Sequence, residues 1–554
     1  MPVVSVAEGA IRHILIVGGG TAGWLTACHL AKALGCHSNQ AYSVTVVESP
    51  DIPTIGVGEG TVPAIRQSLQ QLGISETDLI RYCDASFKQS IRFDNWRQVK
   101  GTEANYYHHV FDYPERQDLK LTPYWLNSSK QQSYADTVGI QSRLCDLGLA
   151  PKLISQPEYD GVANYAYHLD AAKFAALLTR HGVEKLGVKH LKAEVKQVLT
   201  AEDGSISALV TDNAGTLSAD LYVDCSGFQS LLLGKALAID FISKNDVLFC
   251  DSAIAVQVPY ASVDAPIPSS TIATAQSAGW IWDIGLPSRR GVGYVYASRY
   301  CSEQQARDTL AAYVGPQIAE LAVRKIPIVS GHRQHFWQNN CVAVGLSAGF
   351  LEPLEASALV LVELSAQMIA EQLPATRGVM DIVARRFNET FLYRWDKIID
   401  FLKLHYLLSQ REEPFWRDNR DPATIPQSLL ELLQLWQYRA PGDLDFTSNN
   451  EVFPAASYQY VLYGMGFQTD YSHSEYLLDN QDFAAQQFAQ NQKMIQQALG
   501  MLYTFSHHPL AGGLAGEFGK AAQKCARTHG NAIGHVLHRP RRLQIVAHVV
   551  QQLH

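Results

Sequence analysis

The sequence predicts an α/β chain. A doubly wound, Rossmann-like domain carries an inserted region of mixed and antiparallel sheet and a mainly helical C-terminal region. Three observations predict this. The unbroken apolar run Ile14-Leu-Ile-Val17 enters a turn with Gly18, Gly20 and Gly23, followed by a helix-forming stretch from Trp24 to Leu34. Parallel strands covered on both faces have such continuous apolar runs. Within 245–330 short segments alternate as antiparallel strands do, and from Met380 to about Leu435 the apolar spacing is helical.

Composition bounds the rest. At 554 residues the chain exceeds one ordinary core, so two or three structural units are expected. Hydrophobic residues at 47% and charged residues at 18% describe a globular protein. The net charge of −8 argues against a nucleic-acid surface. Nine cysteines without C-x-x-C spacing read as reduced, mostly buried thiols with no metal site. No signal-peptide pattern opens the chain and no apolar run is long enough to span a bilayer, so a cytoplasmic location and no membrane partner are expected.

The glycine turn comes first along the chain. Gly18 makes the tight turn, Gly20 lets backbone approach a pyrophosphate, and Gly23 lets helix pack on strand. The anion would sit on the backbone N–H groups at the helix start, around Thr21 and Ala22. The second strand, Ser43–Glu48, ends in an acid near the ~20-residue spacing expected of a ribose-binding carboxylate. Together these predict a dinucleotide site. The glycine-rich stretch 54–63, including Gly58, reads as a loop folded against the same ligand, and Pro63 can open the helix Ala64–Leu72.

Helix Glu76–Tyr82 leads into Phe87–Trp96, where Phe87, Ile91 and Phe93 are apolar. Lys88, Ser90, Arg92 and Asp94 share the other face of the predicted strand. By pattern alone Lys88 reads as a solvated surface lysine. Residues 100–165 are aromatic-rich and weakly periodic, as functional loops often are. Regular structure returns with helix Ala171–Lys185, the strand pair Val188–Leu199 and Ile206–Thr211, and strand Leu217–Asp224, whose Asp-x-x-Gly end can return to the cofactor. Ala253–Val258, Gly279–Gly285 and Gly291–Tyr296 form the antiparallel block. Trp280 and Trp282 share a strand face, and core packing accounts for them without a ligand. Cys341–Phe350 is the last parallel-type strand with its glycine loop, including Gly345. Leu351–Ala358 opens helix Leu359–Gln372, where Glu352 and Glu355 complement the helix dipole. Phe391–Tyr406 is the clearest later helix, an aromatic stretch runs from Phe453 to Phe467, and Gln481–Met501 is helical. Residues 527–554 form an acid-free, basic tail.

From about residue 12 to 510 the sequence resembles the flavin-dependent tryptophan halogenase family. Motifs match in order: the Gly-Gly-Gly-Thr-Ala-Gly-Trp start, Gly56-Val-Gly-Glu-Gly-Thr-Val-Pro63, Phe87-Lys88 before Phe93-Asp-Asn-Trp96, Trp280-Ile-Trp282-Asp-Ile284, Glu352-Pro-Leu-Glu355, and Asp400–Tyr406 with Phe415-Trp416.

The resemblance implies that reduced FAD, supplied by a separate flavin reductase, reacts with oxygen and a halide, chloride or bromide, to give hypohalous acid. Lys88 would hold this oxidant by hydrogen bond or as a haloamine. Glu355 would orient the electrophile and deprotonate the cationic arene intermediate. The implied FAD set is Gly18, Gly20, Thr21, Ala22, Gly23, Glu48, Gly58, Val195, Asp224, Gly345 and Leu354. Ser357 and Ala358 would hold the halide, His109, Phe111, Phe453 and Tyr458 the substrate, and Trp280 and Trp282 would lie near the flavin. The organisation implied is 1–100, 165–235 and 335–375 as the FAD-binding module, 101–164 and 236–334 as the substrate-side sheet and loop region, 376–526 as the helical substrate-binding region, and 527–554 as the tail.

The chain departs from the family pattern at two places. Gly285 replaces the proline after the paired tryptophans, and Glu355-Ala356-Ser357-Ala358 stands where Glu-Ser-Thr-Gly is common. The substrate, an indole, a phenol or tryptophan in a peptide, stays open, as does a homodimer. The alternatives are an FAD-dependent aromatic monooxygenase and a non-catalytic flavin-fold binding protein.

Overall fold

The computed structural model describes residues 9–500, apart from 40, 52–57, 99–104, 117–118, 130–131, 154, 263 and 449. The tail 527–554 and residues 54–57 of the glycine-rich loop 54–63 therefore lie outside the described residues. The chain divides into two compact units: Met1–Cys83 with Leu169–Ala253 and Lys325–Leu402, and Asp84–His168 with Ile254–Arg324 and Lys403–His554.

The first unit is built on a six-stranded sheet in the order Lys189–Lys192, Ser43–Glu48, His13–Val17, Leu221–Asp224, Cys341–Ala343, Trp337–Gln338. The first four pairings are parallel and the last antiparallel. Along Ile14–Val17 and Leu221–Asp224 every residue is buried, whichever face it points to, which is why these strands read as continuous apolar runs. The helix Thr21–Leu34 packs against both Ala171–Leu186 and Ser357–Glu371. Helix Ala64–Leu72 and helix Glu76–Tyr82 have the predicted bounds.

One expected pairing is corrected. Val188–Leu199 is not a single strand. Lys189–Lys192 is the edge of the parallel sheet, and only Val195–Thr200 pairs with Ile206–Thr211. The chain leaves the sheet between them, where Ala193 N–H donates to the Glu48 carbonyl at 3.0 Å and Glu194 N–H to the Asp212 carboxylate at 2.9 Å.

The second unit contains the order Ser252–Val258, Arg290–Tyr296, Gly279–Gly285, Ser270–Gln276, Ser90–Asp94, Tyr106–Val110. Ser270–Gln276 went unrecognised in the sequence, and it pairs in parallel with Ser90–Asp94. That pairing groups residues 84–100 with this unit, although the sequence reading joined them to the dinucleotide module. The helices Pro414–Asp418, Gln427–Trp436, Ala455–Gly464 and Gln481–Gly500 belong here too. Trp416 ties the helix Pro414–Asp418 to the sheet, its Nε1 donating to the Gln276 carbonyl at 2.8 Å, and Trp96, just past the strand Ser90–Asp94, donates from Nε1 to the Ala273 carbonyl at 2.9 Å. The two rings meet edge-on at 5.3 Å. Burying each large ring contributes roughly 2–3 kcal/mol, and its paired N–H adds no desolvation penalty. No described helix is long and apolar enough to cross a membrane.

Candidate functional site: a glycine turn and a buried lysine

In the first unit the glycine turn sits at the C-terminal end of the strand His13–Val17. Gly18 has φ +117°, and a Cβ there would lie 2.1 Å from the Cys225 carbonyl oxygen. A Cβ on Gly23 would lie 1.9 Å from the Gly18 carbonyl oxygen, so only glycine lets the helix start this close to the strand. Gly20 is different, because nothing lies within 4 Å of a Cβ built on it. Gly20 is also the N-cap residue of Thr21–Leu34, no side chain caps that end, and no acid occupies its first turn. Open space in front of uncapped N–H groups at Thr21, Ala22 and Gly23 fits a pyrophosphate.

The neighbouring candidates surround this turn in different ways. Glu48 ends its strand with its carboxylate against Gly19, and His190 Nε2 lies 2.8 Å from Glu48 Oε2. Gly345 has φ +74°, and a Cβ on it would lie 2.7 Å from the Ala22 methyl, so the loop 345–347 closes on the helix start. Gly58 is buried in the short strand Gly58–Gly60, and Val195 begins the antiparallel strand paired with Thr211.

Asp224 works within the chain. Its carboxylate accepts from the backbone N–H groups of Ser226, Leu232 and Leu233 at 3.0, 2.9 and 2.8 Å and from the Ser226 hydroxyl at 2.5 Å. The carboxylate therefore shapes the segment 225–234, while the Asp224 carbonyl accepts from the Ser347 hydroxyl. Asp224→Ala should strand buried N–H groups and cost about 3 kcal/mol or more, measured as a lower urea midpoint.

Glu355 is 1% exposed, in the single turn Pro353–Glu355 with buried Leu354. Ala356 follows with φ +55°, a left-handed conformation that costs a non-glycine residue on the order of 1 kcal/mol and tends to mark functional turns. Ser357 then opens the helix Ser357–Glu371, buried and without a side-chain cap, while Ala358 is exposed.

In the second unit the structure corrects the reading of Lys88, which is 0% exposed. Ser86–Lys88 and Ser90–Asp94 are separate strands in different sheets, and the chain switches between them at Gln89. Gln89 is pinned there: its N–H donates to the Ser269 carbonyl at 2.7 Å and its side-chain amide to the Leu149 carbonyl at 2.7 Å. The switch breaks the alternation on which a shared solvent face depended. Lys88 and Ser90 are buried, whereas Arg92 and Asp94 remain partly exposed and pair at 2.8 Å.

Lys88 Nζ lies 5.4 Å from the centroid of the Phe111 ring, a cation–π distance. Buried His109 sits two residues before Phe111, and its ring faces Tyr460 at 6.4 Å. The strand carrying His109 is anchored from behind. His108 bridges Ser90 Oγ at 2.9 Å and Asp146 Oδ1 at 3.0 Å, and Tyr106 and Arg143 also reach Asp146. Burial alone would raise the Asp146 carboxyl, but these partners outweigh it and hold the group below its usual range.

Tyr458 packs on Trp436 at 5.2 Å and Phe446 at 5.1 Å. Tyr460, missed in the sequence, is the ring facing His109. Two residues on a helix differ by about 200° around the axis, so these tyrosines point to opposite sides of Ala455–Gly464. Phe453 is buried just before that helix. Trp280 and Trp282 are also buried, 6.4 Å apart, with the Trp282 ring over Gly293 so closely that a Cβ there would lie 2.1 Å from it. Gly285 has no room for a Cβ either, which would meet Ile267 at 2.8 Å. Its carbonyl accepts from the Ser86 hydroxyl at 2.6 Å, tying the tryptophan strand to the lysine strand.

A family model described as tryptophan halogenase matches residues 13–480. The tryptophan 6-halogenase SttH of Streptomyces toxytricini is 36% identical over 476 residues, 82% of this chain and 89% of that protein. The 7-chloro-L-tryptophan 6-halogenase KtzR of Kutzneria sp. is 36% identical over 503 residues, 86% of this chain and 95% of that protein. A solved tryptophan halogenase from Shewanella frigidimarina superposes with a TM-score of 0.87 at 46% identity, covering 94% of this chain and 99% of that one.

Proposed function

The chain belongs to the tryptophan halogenase family, flavin-dependent oxidoreductases, and from that premise we propose that it halogenates the indole ring of tryptophan with FAD and a halide ion. When bound, reduced FAD from a separate reductase supplies, with oxygen and chloride or bromide, hypohalous acid. The turn Gly18–Gly23 holds its pyrophosphate on the N–H groups of Thr21–Gly23, and Glu48 takes the ribose. Ser357 and Ala358 offer backbone N–H groups to the halide at an uncapped helix start. Lys88 holds the electrophilic halogen, and Glu355 takes the proton from the halogenated ring.

The observation that carries this reading is the burial of Lys88 beside the Phe111 ring. A lysine ammonium taken out of water is costly unless it is paired, and burial with charged or aromatic neighbours is how active sites tune lysines. His109 and Phe111 line the side from which an indole would approach.

The test is a turnover screen with a flavin reductase, oxygen, and chloride or bromide. Tryptophan, indole, a phenol and a tryptophan-containing peptide are offered separately, and products are read as halogen-bearing mass shifts. A halide-dependent product is expected with tryptophan. Oxygen insertion independent of halide would instead make the protein an aromatic monooxygenase, and no turnover or flavin binding at all would make it a binding protein.

A further inference from the structure

The lysine strand has a second chemical group that none of the motifs contains. Ser86–Lys88 pairs antiparallel with Ala166–His168, with Lys88 opposite Ala166 and Ser86 opposite His168. Directly opposed residues, and residues two apart on one strand, share a face. Lys88 and His168 are therefore diagonal neighbours on one face of this ladder, at a separation that long side chains bridge. His168 is 0% exposed. Its Nε2 is fixed 2.8 Å from Thr271 Oγ1, and its Nδ1 has no hydrogen-bond partner among the described residues. A buried imidazole nitrogen without a partner calls for an explanation, and a catalytic role is one.

We propose that His168 is a positioning residue for Lys88, the acceptor that holds the lysine's proton while the halogen is on nitrogen. This rests on the reading of Lys88 as the halogen-carrying residue. The step balances as Lys–NH3+ + HOX + His → Lys–NHX + H2O + HisH+. The N–X bond forms as the X–O bond breaks, halogen keeps its oxidation level, and the released oxygen leaves as water. Transfer to the arene returns the histidine's proton to nitrogen while Glu355 takes the ring proton: Lys–NHX + ArH + HisH+ + Glu–COO− → Lys–NH2 + ArX + His + Glu–COOH.

Electrostatics support this order of events. Burial first, and the charge of Lys88 second, hold His168 well below the ordinary imidazole value of 6.5, so it rests neutral while the lysine is cationic. Lys88 is the charged group acting on it, Thr271 faces it from the strand Ser270–Gln276, and Ser86 lies across the ladder. Converting Lys88 to its neutral N-halo form removes the second cause, so the imidazole becomes a better base when a proton must be stored.

The experiment compares wild type with His168→Gln, His168→Asn and Lys88→Met across pH, using reductase, FAD, oxygen, bromide and tryptophan. Glutamine keeps a group for Thr271 and asparagine keeps one near Nδ1, but neither is a base, so either variant serves if the other fails to fold. The expected result is a fall of about 10²-fold in kcat near neutral pH, KM within about twofold, and recovery as pH rises and solvent base substitutes. A second readout needs no flavin: hypobromous acid added to the protein should brominate Lys88, detected by mass against Lys88→Met, more slowly in both histidine variants and most so at low pH. A fall equal at every pH, or an unchanged pH profile in a folded variant, overturns the assignment of His168. Retained activity in Lys88→Met would overturn the lysine reading itself, which separates the two failures.

Discussion

Replacing Lys88 with methionine should give a folded protein that still binds flavin but halogenates between about 10² and 10⁴ times more slowly, the range for losing a positioned reactive group. The structure makes this a clean test. Lys88 is wholly buried in the short strand Ser86–Lys88, with the Phe111 ring 5.4 Å from its ammonium. Methionine has nearly the same length and an apolar, flexible chain, so it fills the space without a cavity. Removing one member of a buried charged contact leaves its partner unmatched, so some loss of stability accompanies the substitution. A folded protein with a cooperative melt, together with lost turnover, is the expected pair of results. Loss of the cooperative melt would mean that the charge holds the fold together. Full turnover would remove Lys88 from the chemistry.

The second large effect is expected at the glycine turn, where two substitutions should fail for different reasons. Gly18→Ala places a methyl 2.1 Å from a backbone carbonyl at a φ of +117°. Neither the strand end nor Cys225 can yield, so on the order of 3 kcal/mol should be lost even without flavin. Gly20→Ala meets nothing within 4 Å. The flavin-free protein should therefore keep its stability to within about 0.5 kcal/mol, as surface changes usually do. Flavin affinity should nevertheless fall at least about tenfold, or 1.4 kcal/mol, because the methyl stands in the proposed pyrophosphate site. Thermal melts without flavin and titrations with it separate the two. Unchanged flavin affinity in Gly20→Ala would move the cofactor away from this turn.

Sequence and structure divide along a physical line. The strand–turn–helix of 13–34, the acid at Glu48 and the helices 64–72 and 76–82 were legible because each is specified by its own neighbours. Glycine where φ is positive, apolar runs where both faces are covered and prolines at helix starts are local demands. The reading of Lys88 as a reactive residue came only through resemblance, since its pattern alone described a surface lysine. Its burial depends on the switch of sheets at Gln89 and on partners at Leu149 and Ser269, far along the chain. Tyr460 rather than Tyr458 faces His109 because of the rotation of one helix, which an aromatic-rich stretch does not reveal.

The sequence by itself determined the α/β class, the strand–glycine turn–helix and the motifs of the halogenase family. Only the tertiary structure decided which side chains share a wall: Lys88 with Phe111, and Lys88 with His168 across a ladder formed by strands 80 residues apart. Strand pairing at that separation is set by burial of whole surfaces and not by local preference, so a histidine in an unremarkable strand acquires a role that its neighbours in sequence do not announce.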